Sequence, residues 1–373
     1  MRKMCKFILN IFLCTTFIFV ATAEAKITVA LIAPKAEQYR QQGMELNNGV
    51  QKAIDEINEN GGLLGQKIEL LSIDDQCNDN FAISTAQMLA VTKNRKIGVV
   101  IGPYCANSFD KVADIYAQAH IFQIIPTTVN YTQAKTIKKG LVKMLGYTNQ
   151  QAVDFFNFYN ANFAGQHVAV ISNHSEPESM EEADAIMKEF ARHGKSVVTK
   201  LYTYNMTDKD YEELAEIITK EQNNMAFLLG TAKNIRKMAK ALKEEDEDFI
   251  LVTNKYTATQ EYINYLDRWA NGTYFMELRG NDDNPEFAET LVKLRLSGFD
   301  TEGLSLYGYS AAELWKTLVE NAKSFEYDKL SAVVNNKFIR TEFGNKMFHN
   351  GAPKINEKYA VYQYDEGNYL RVY

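Results

Sequence analysis

Short apolar runs alternate with amphipathic segments along most of the chain. The first such block places strand-type runs at 27–34, 68–73, 97–101 and 121–125. Between them, apolar residues recur at helical spacing, most clearly from Leu46 to Ile57. Gly61 and Gly62 follow that segment, and glycine is the residue that adopts a helix-ending left-handed conformation at least cost. The block therefore predicts the order β-α-β-α-β-α-β.

A second block repeats the alternation with different residues. Its strand-type runs lie at 168–171, 197–204, 226–229 and 249–252. Ser179 and Glu182 have the spacing of a capping box, which predicts a helix starting there. Beyond Tyr274, the pattern predicts a long helix at 311–322 and a hairpin from 359–364 and 369–372.

Buried strands that alternate with helices indicate parallel sheets, because a parallel connection needs a helix to return the chain. We therefore expect an α/β protein with two doubly wound lobes. Ligands of open α/β sheets bind beyond the carboxyl ends of the strands. A cleft between the two lobes is the predicted site.

The first 25 residues have the features of a secretory signal. Arg2, Lys3 and Lys6 precede an apolar run, and small residues at 21–25 fit a cleavage site. Ile11-Phe12-Leu13 before Cys14 argues against a lipoprotein. A retained membrane anchor stays open as the alternative to an exported, soluble protein.

The part of the chain after this leader contains two cysteines, Cys77 and Cys105. In an oxidising compartment they suggest one disulfide, with two separate buried thiols as the alternative. The five histidines show no ligand spacing, so no metal site is expected.

Composition narrows the functional classes. A length of 373 residues favours two domains, and 46% hydrophobic with 24% charged residues is typical of a globular protein. The formal net charge is −6 and the sequence has no block of basic residues, so nucleic acid is not an expected partner.

The loop from Gly102 to Ser108 is the strongest candidate site. It lies between a strand and a helix, which Asn107 or Ser108 could cap, and the free N–H groups of that helix would attract a carboxylate. Plain capping without a ligand stays open.

Asp74 and Asp75 are interpreted as a strand-end turn, since neighbouring strand residues point to opposite faces. No catalytic or cofactor motif occurs, so neither an enzyme nor a cofactor is expected.

Three stretches resemble a known family: Gly43–Gly65, Asp74–Cys77 and Ile97–Pro126. They are similar to type I periplasmic solute-binding proteins of the leucine/isoleucine/valine-binding group. This resemblance implies two parallel-sheet lobes joined by a three-stranded hinge, and a disulfide between Cys77 and Cys105. The implied division is 1–25 signal peptide, 26–147 plus 276–350 lobe 1, and 148–275 plus 351–373 lobe 2.

The resemblance also implies ligand positions, and several differ here. Ala106 stands where the family has a hydroxyl residue, and Val129 where it has a threonine. Asn254 takes the place of the acidic partner of the ligand's ammonium, and the family's tyrosines have no counterpart around 175–178 or 231–232. The predicted ligand-binding residues are Tyr104, Asn107, Ser108, Thr127, Thr128 and Asn254.

A buried ammonium without a carboxylate partner is costly, whereas an asparagine amide suits a neutral polar group. We therefore expect a ligand other than a simple branched-chain α-amino acid. The expected function is capture of a small polar solute, an amino acid or a similar amide, by a periplasmic monomer serving an inner-membrane ABC permease. A periplasmic sensor of the same fold is the alternative. An exported hydrolase is disfavoured because no nucleophile–base pair is found.

Overall fold

The computed structural model describes residues 26–35, 39–127, 138–145, 148–203, 205–254, 257–278, 285–299, 301, 304–335, 337–341, 344–349, 351–353 and 359–373. The predicted leader and Thr128 lie outside these residues. Among the helices within these ranges, none has the length and apolar character needed to cross a bilayer.

Five parallel strands form the first sheet, in the order β2-β1-β3-β4-β5. They are β1 (Ile27–Ile32), β2 (Ile68–Ile73), β3 (Lys96–Ile101), β4 (Gln123–Ile125) and β5 (Leu141–Lys143). Ile27 is in register with Ile68 of β2 and with Lys96 of β3. The carboxyl ends of the strands consequently lie along one edge. Helices cover both faces, which explains why β1 is buried along its whole length.

Three helices connect these strands: α1 (Arg40–Glu59), α2 (Asp79–Val91) and α3 (Ala106–Gln118). The apolar stripe of α1 packs on one face of the sheet, and α2 and α3 pack together on the other. The two faces therefore have separate cores, one of which includes Trp315 from far along the chain.

Seven strands form the second sheet, in the order β15-β14-β10-β9-β8-β6-β7. They are β6 (Val168–Asn173), β7 (Val198–Tyr202), β8 (Met225–Leu228), β9 (Ile250–Asn254), β10 (Tyr274–Leu278), β14 (Tyr359–Asp365) and β15 (Asn368–Arg371). Strands β6 to β10 are parallel, whereas β14 and β15 pair antiparallel. The last two strands form the predicted hairpin.

The helices of the second sheet begin with one that the hydrophobic pattern did not reveal, α4. They are α4 (Thr148–Asn162), α5 (Pro177–Arg192), α6 (Asp208–Lys220), α7 (Ala232–Glu245) and α8 (Gln260–Leu266). The capping box predicted for Ser179 and Glu182 is wrong. The helix starts two residues earlier, and the hydroxyl of Ser179 accepts from the N–H of Asn173 at 2.8 Å.

Between β10 and β14 the chain returns to the first sheet. This segment contains α9 (Pro285–Leu296), α10 (Ser305–Ala322), α11 (Tyr327–Val334) and a small sheet of β11 (Phe338–Thr341), β12 (Gly344–His349) and β13 (Ala352–Pro353). Helix α10 lies against α1 so closely that a Cβ atom added to Gly49 would stand 1.9 Å from the carbonyl oxygen of Ser305. The two sheets are distinct, while the exact lobe boundaries stay a prediction.

The predicted disulfide joins Cys77 to Cys105, with Cα atoms 5.3 Å apart. It ties the turn after β2 to the residue before α3. Asp75, which starts that turn, is fully buried. The N–H of Cys77 donates to Oδ1 of Asp75 at 3.2 Å, but Oδ2 has no partner among the described residues. Burial, with a smaller contribution from Asp74, raises the pKa of Asp75 to about 6.

Replacing Asp75 by Asn should stabilise the protein at neutral pH. The folded protein holds this proton more tightly than the unfolded chain, so wild-type stability falls as pH rises from about 4 to about 6. Above that window the full cost of burying the carboxylate remains. We expect Asp75→Asn, which keeps the acceptor for Cys77, to be about 2–3 kcal/mol more stable near pH 7.5 in urea unfolding. The advantage should vanish near pH 4.

Asp74→Asn is the matched control, because Asp74 is only half-buried and accepts from the N–H groups of Lys35 and Gln76. We expect it to change stability much less. An equal gain in the control, or a gain in Asp75→Asn that does not depend on pH, would contradict the role given to Asp75.

Candidate functional site

The carboxyl edge of the first sheet carries a pair of tyrosines. Tyr104 follows β3, and its N–H donates to the carbonyl oxygen of Ile32, at the end of β1, at 3.2 Å. Tyr39, directly before α1, lies with its ring centroid 6.2 Å from that of Tyr104 and is tilted by 59°. Both are half-buried, so they form an aromatic surface at this edge. The sequence predicts Tyr104 as a ligand-binding residue, whereas Tyr39 was not among the predicted residues, since no apolar pattern or motif marks it.

The start of α3 lies beside these tyrosines. Cys105 is the residue that precedes the helix, and it forms no side-chain capping bond. The expectation that Ser108 or Asn107 caps the helix is therefore wrong, since both lie within its first turn. Ser108 is fully buried, and its hydroxyl donates to Oδ1 of Asp79 at 3.0 Å. The first-turn N–H groups of α3 lack a side-chain cap, which leaves an electropositive helix end.

The third part of this edge follows β4. Pro126 is buried and Thr127 is half-buried after it. Gln123 of β4 donates from Nε2 to the carbonyl oxygen of Gly102 at 2.9 Å, which joins the ends of β3 and β4. Thr127 therefore lies at the same edge as Tyr104.

Lys143, which ends β5 at this edge, was not predicted from the sequence. It is fully buried, and its N–H donates to the carbonyl oxygen of Gly351 at 2.6 Å. Burial lowers the pKa of Lys143 to about 8, partly opposed by attraction to Asp110. The side chain is thus cationic at neutral pH and buried behind the edge.

Asn254, at the end of β9, lies in the second sheet and is almost completely buried. Its Oδ1 accepts from the amide of Gln151 on α4, and its Nδ2 donates to Oε2 of Glu182 on α5 at 3.4 Å. The hydroxyl of Thr257 donates to its carbonyl oxygen at 2.6 Å. Asn254 therefore joins two helices to its strand. A carboxylate also lies beside it, which the sequence did not reveal.

A second polar network lies at the end of β6. Nδ2 of Asn173 donates to Oε1 of Glu176 at 2.7 Å and to Oδ1 of Asn234 at 3.0 Å. Nδ2 of Asn234 then donates to the hydroxyl of Tyr211 at 2.7 Å. Glu176 precedes α5 and, like Cys105 before α3, makes no side-chain cap. These bonds fix the starts of α5, α6 and α7 relative to one another.

Helix α3 of the first sheet contacts helix α5 of the second. The structure thus brings Tyr104 together with Tyr39 in the first sheet, and Asn254 with Gln151 and Glu182 in the second. Within the described ranges, no group of three or more His, Cys, Asp or Glu side chains could hold a metal ion. The arrangement offers aromatic surface, hydrogen bonds and one electropositive helix end.

Comparisons with known proteins agree with this arrangement. A family model described as periplasmic binding protein matches residues 26–368. The Leu/Ile/Val-binding protein BraC3 of Rhizobium johnstonii is 25% identical over 94% of each chain. An amino acid binding protein of Pseudomonas aeruginosa is 24% identical, with 92% of this chain and 91% of that one covered.

Solved structures show the same fold. The leucine-binding protein LivK of Thermotoga maritima superposes with a TM-score of 0.77 at 16% identity, covering 93% of this chain and 98% of that one. A solute-binding protein of an ABC transporter from R. palustris, in complex with benzoate, gives a TM-score of 0.77 at 15% identity, covering 93% and 96%.

Removing the amide of Asn254 should destabilise the protein whether or not a ligand is present. Asn254→Ala leaves the Gln151 amide and the Glu182 carboxylate buried without this partner, and we expect a loss of about 2–3 kcal/mol in urea unfolding. Asn264→Ala is the control, because Asn264 is exposed on α8 and its side-chain oxygen accepts from Gln260 one turn earlier on the same helix. A control loss as large as that of Asn254→Ala would contradict the role of the buried network.

Proposed function

The chain belongs to the periplasmic binding protein family, and from this premise we propose that it captures a small carboxylate-bearing solute, an amino acid or a similar compound, between its two lobes. The family implies a periplasmic location; we propose that the leader at 1–25 directs export and is removed. The protein then acts as a monomer and delivers the solute to an inner-membrane ABC permease. Closure of two lobes about a hinge would bury the solute and create the form that the permease recognises.

One observation carries the choice of a carboxylate. The start of α3 has no side-chain cap, and it lies next to Tyr104 at the carboxyl edge of the first sheet. Backbone N–H groups at a helix start bind anions, because the helix dipole adds to the hydrogen bonds. Asn107 belongs to this turn, and Thr127 adds a hydroxyl from the neighbouring strand end. The relatives support the proposal, since amino acids and benzoate share a carboxylate.

Tyr104 and Tyr39 would contact the apolar part of the solute. Aromatic side chains at a partly open edge offer a large contact area, and they lose little conformational entropy when a ligand orders them. Ser108 contributes less, because its hydroxyl is already bound to Asp79 inside the first lobe. It would act by holding the helix start in place.

Asn254 would contact the solute from the second lobe. Its amide has one donor and one acceptor position beyond the two bonds to Gln151 and Glu182. These positions suit a neutral polar group. An ammonium group would therefore add little to the affinity.

Titration calorimetry with L-leucine, 4-methylpentanoate, L-leucinamide and benzoate tests the ligand class. We expect saturable binding of the carboxylates. L-leucinamide, which lacks the carboxylate, should bind at least about tenfold more weakly. Loss of the ammonium, as in 4-methylpentanoate, should cost less than that. Preferential binding of L-leucinamide, or no binding of any carboxylate, would refute the proposal.

Tyr104→Ala should weaken carboxylate binding about tenfold or more, because it removes half of the aromatic surface beside the helix start. Tyr265→Ala is the control, since Tyr265 is exposed on α8 in the second lobe. Equal dissociation constants for Tyr104→Ala and the wild type would place the solute elsewhere.

A further inference from the structure

Lys143 lies under α3, although it belongs to the last strand of the first sheet. Leu141, two residues earlier on β5, packs with Phe109 and Ala113 of α3. Val142, between Leu141 and Lys143, packs in the core on the opposite face of the sheet. Because the side chains of a strand alternate between its two faces, Lys143 points to the α3 face. It ends β5, so it lies nearer than Leu141 to the carboxyl edge and to the start of α3.

The ammonium of Lys143 and the carboxylate that attracts it are buried to very different extents. Asp110, one turn into α3, attracts this ammonium. Lys143 is completely buried, whereas Asp110 is exposed. Water therefore screens the carboxylate more strongly than the ammonium, and a positive potential remains inside the protein beside the start of the helix.

The other charged groups around α3 compensate one another. Lys111 of α3 pairs with Asp79, and Asp114 of α3 pairs with Lys138. The strands on either side of β5, β4 and β13, contain no charged residue. These ion pairs are neutral as a whole, so the buried ammonium of Lys143 dominates the local potential.

A cation beside an uncapped helix start is an unfavourable arrangement by itself. The first-turn N–H groups of α3 carry partial positive charge, and the helix dipole repels the ammonium. An anion at the helix start would be attracted by both. We propose that Lys143 is a positioning residue, which strengthens capture of the solute's carboxylate at the start of α3 without touching the solute. This role rests on the proposed function, which assigns the carboxylate to that helix start.

Titration calorimetry with benzoate near pH 7.5 measures the contribution of Lys143. Lys143→Met should bind benzoate about tenfold more weakly, because a charge acting through buried protein is worth about that factor. Its melting temperature should equal or exceed that of the wild type, since a buried charge is removed and the exposed Asp110 keeps its water. A residue with a merely structural role would lower both the affinity and the melting temperature.

Lys138→Met is the matched control. It removes the same charge from a partly exposed lysine that pairs with Asp114 of the same helix. We expect the affinity for benzoate to change less than about twofold, because solvent and salt screen this charge.

The pH dependence of binding is a readout that a structural role would not move. The pKa of Lys143 is about 8, and a bound anion should raise it. Wild-type affinity for benzoate should therefore fall several-fold from about pH 7 to about pH 9.5. Near pH 8.5, binding should take up about half a proton, measured from the binding enthalpies in Tris and EPPS buffers. Asp75, with a pKa of about 6, is ionised throughout this range.

Lys143→Arg keeps its positive charge throughout the same pH range. We expect this variant to bind benzoate with similar affinity near pH 7 and near pH 9.5, and to take up no proton. Lys143→Met should take up no proton either.

Wild-type affinity in Lys143→Met, equal weakening in Lys138→Met, or binding by the wild type without proton uptake would overturn the role of Lys143. So would a loss of affinity that Lys143→Arg shares. A wild type that binds no carboxylate would refute the proposed function and this role together. Carboxylate binding that does not depend on Lys143 would refute this role alone.

Discussion

Parallel pairing of strands is the constraint on which the rest of this structure depends. Each parallel neighbour requires the chain to return through a helix, so every strand of a sheet ends at the same edge. In the first sheet this brings Tyr104 and the start of α3, which follow β3, together with Thr127, which follows β4. In the second sheet it places Asn173 and Asn254 at one edge. The topology of the sheets, and not closeness in the sequence, thus brings the polar residues of the candidate site together.

Close packing of α1 and α10 is what allows the chain to return to the first sheet. Besides the contact at Gly49, a Cβ atom added to Gly308 would stand 2.3 Å from the carbonyl oxygen of Leu46. Both glycines let the two backbones approach without side chains between them. Trp315 of the same helix is completely buried in the core of the first sheet. The helix at 305–322 is therefore part of the core of the first sheet, although all strands of that sheet come from residues before 144.

The alternation of strands and helices was predictable because each βα unit has its own periodicity. Helix α4 was missed because its aromatic residues give no clean apolar stripe: Phe155 and Phe156 are adjacent and both are buried. The small sheet was missed because its strands are short and face a core built by distant residues. The hydrogen-bond partners of individual site residues were harder to predict from the sequence. The partners of Asn254 are 103 and 72 residues away in sequence, and no local pattern links them.

Helix α4 connects the polar interior of the second lobe to one of the points where the chain changes sheets. Gln151 donates to Asn254, and one turn later Oδ2 of Asp154 accepts from the N–H of Tyr359 at 2.7 Å. Tyr359 is the first residue of β14, directly after the last return of the chain. Both Gln151 and Asp154 are almost completely buried, so solvent competes little for either bond. A single turn of helix thus joins Asn254, a candidate ligand contact, to the start of β14, where the chain enters the second sheet for the last time.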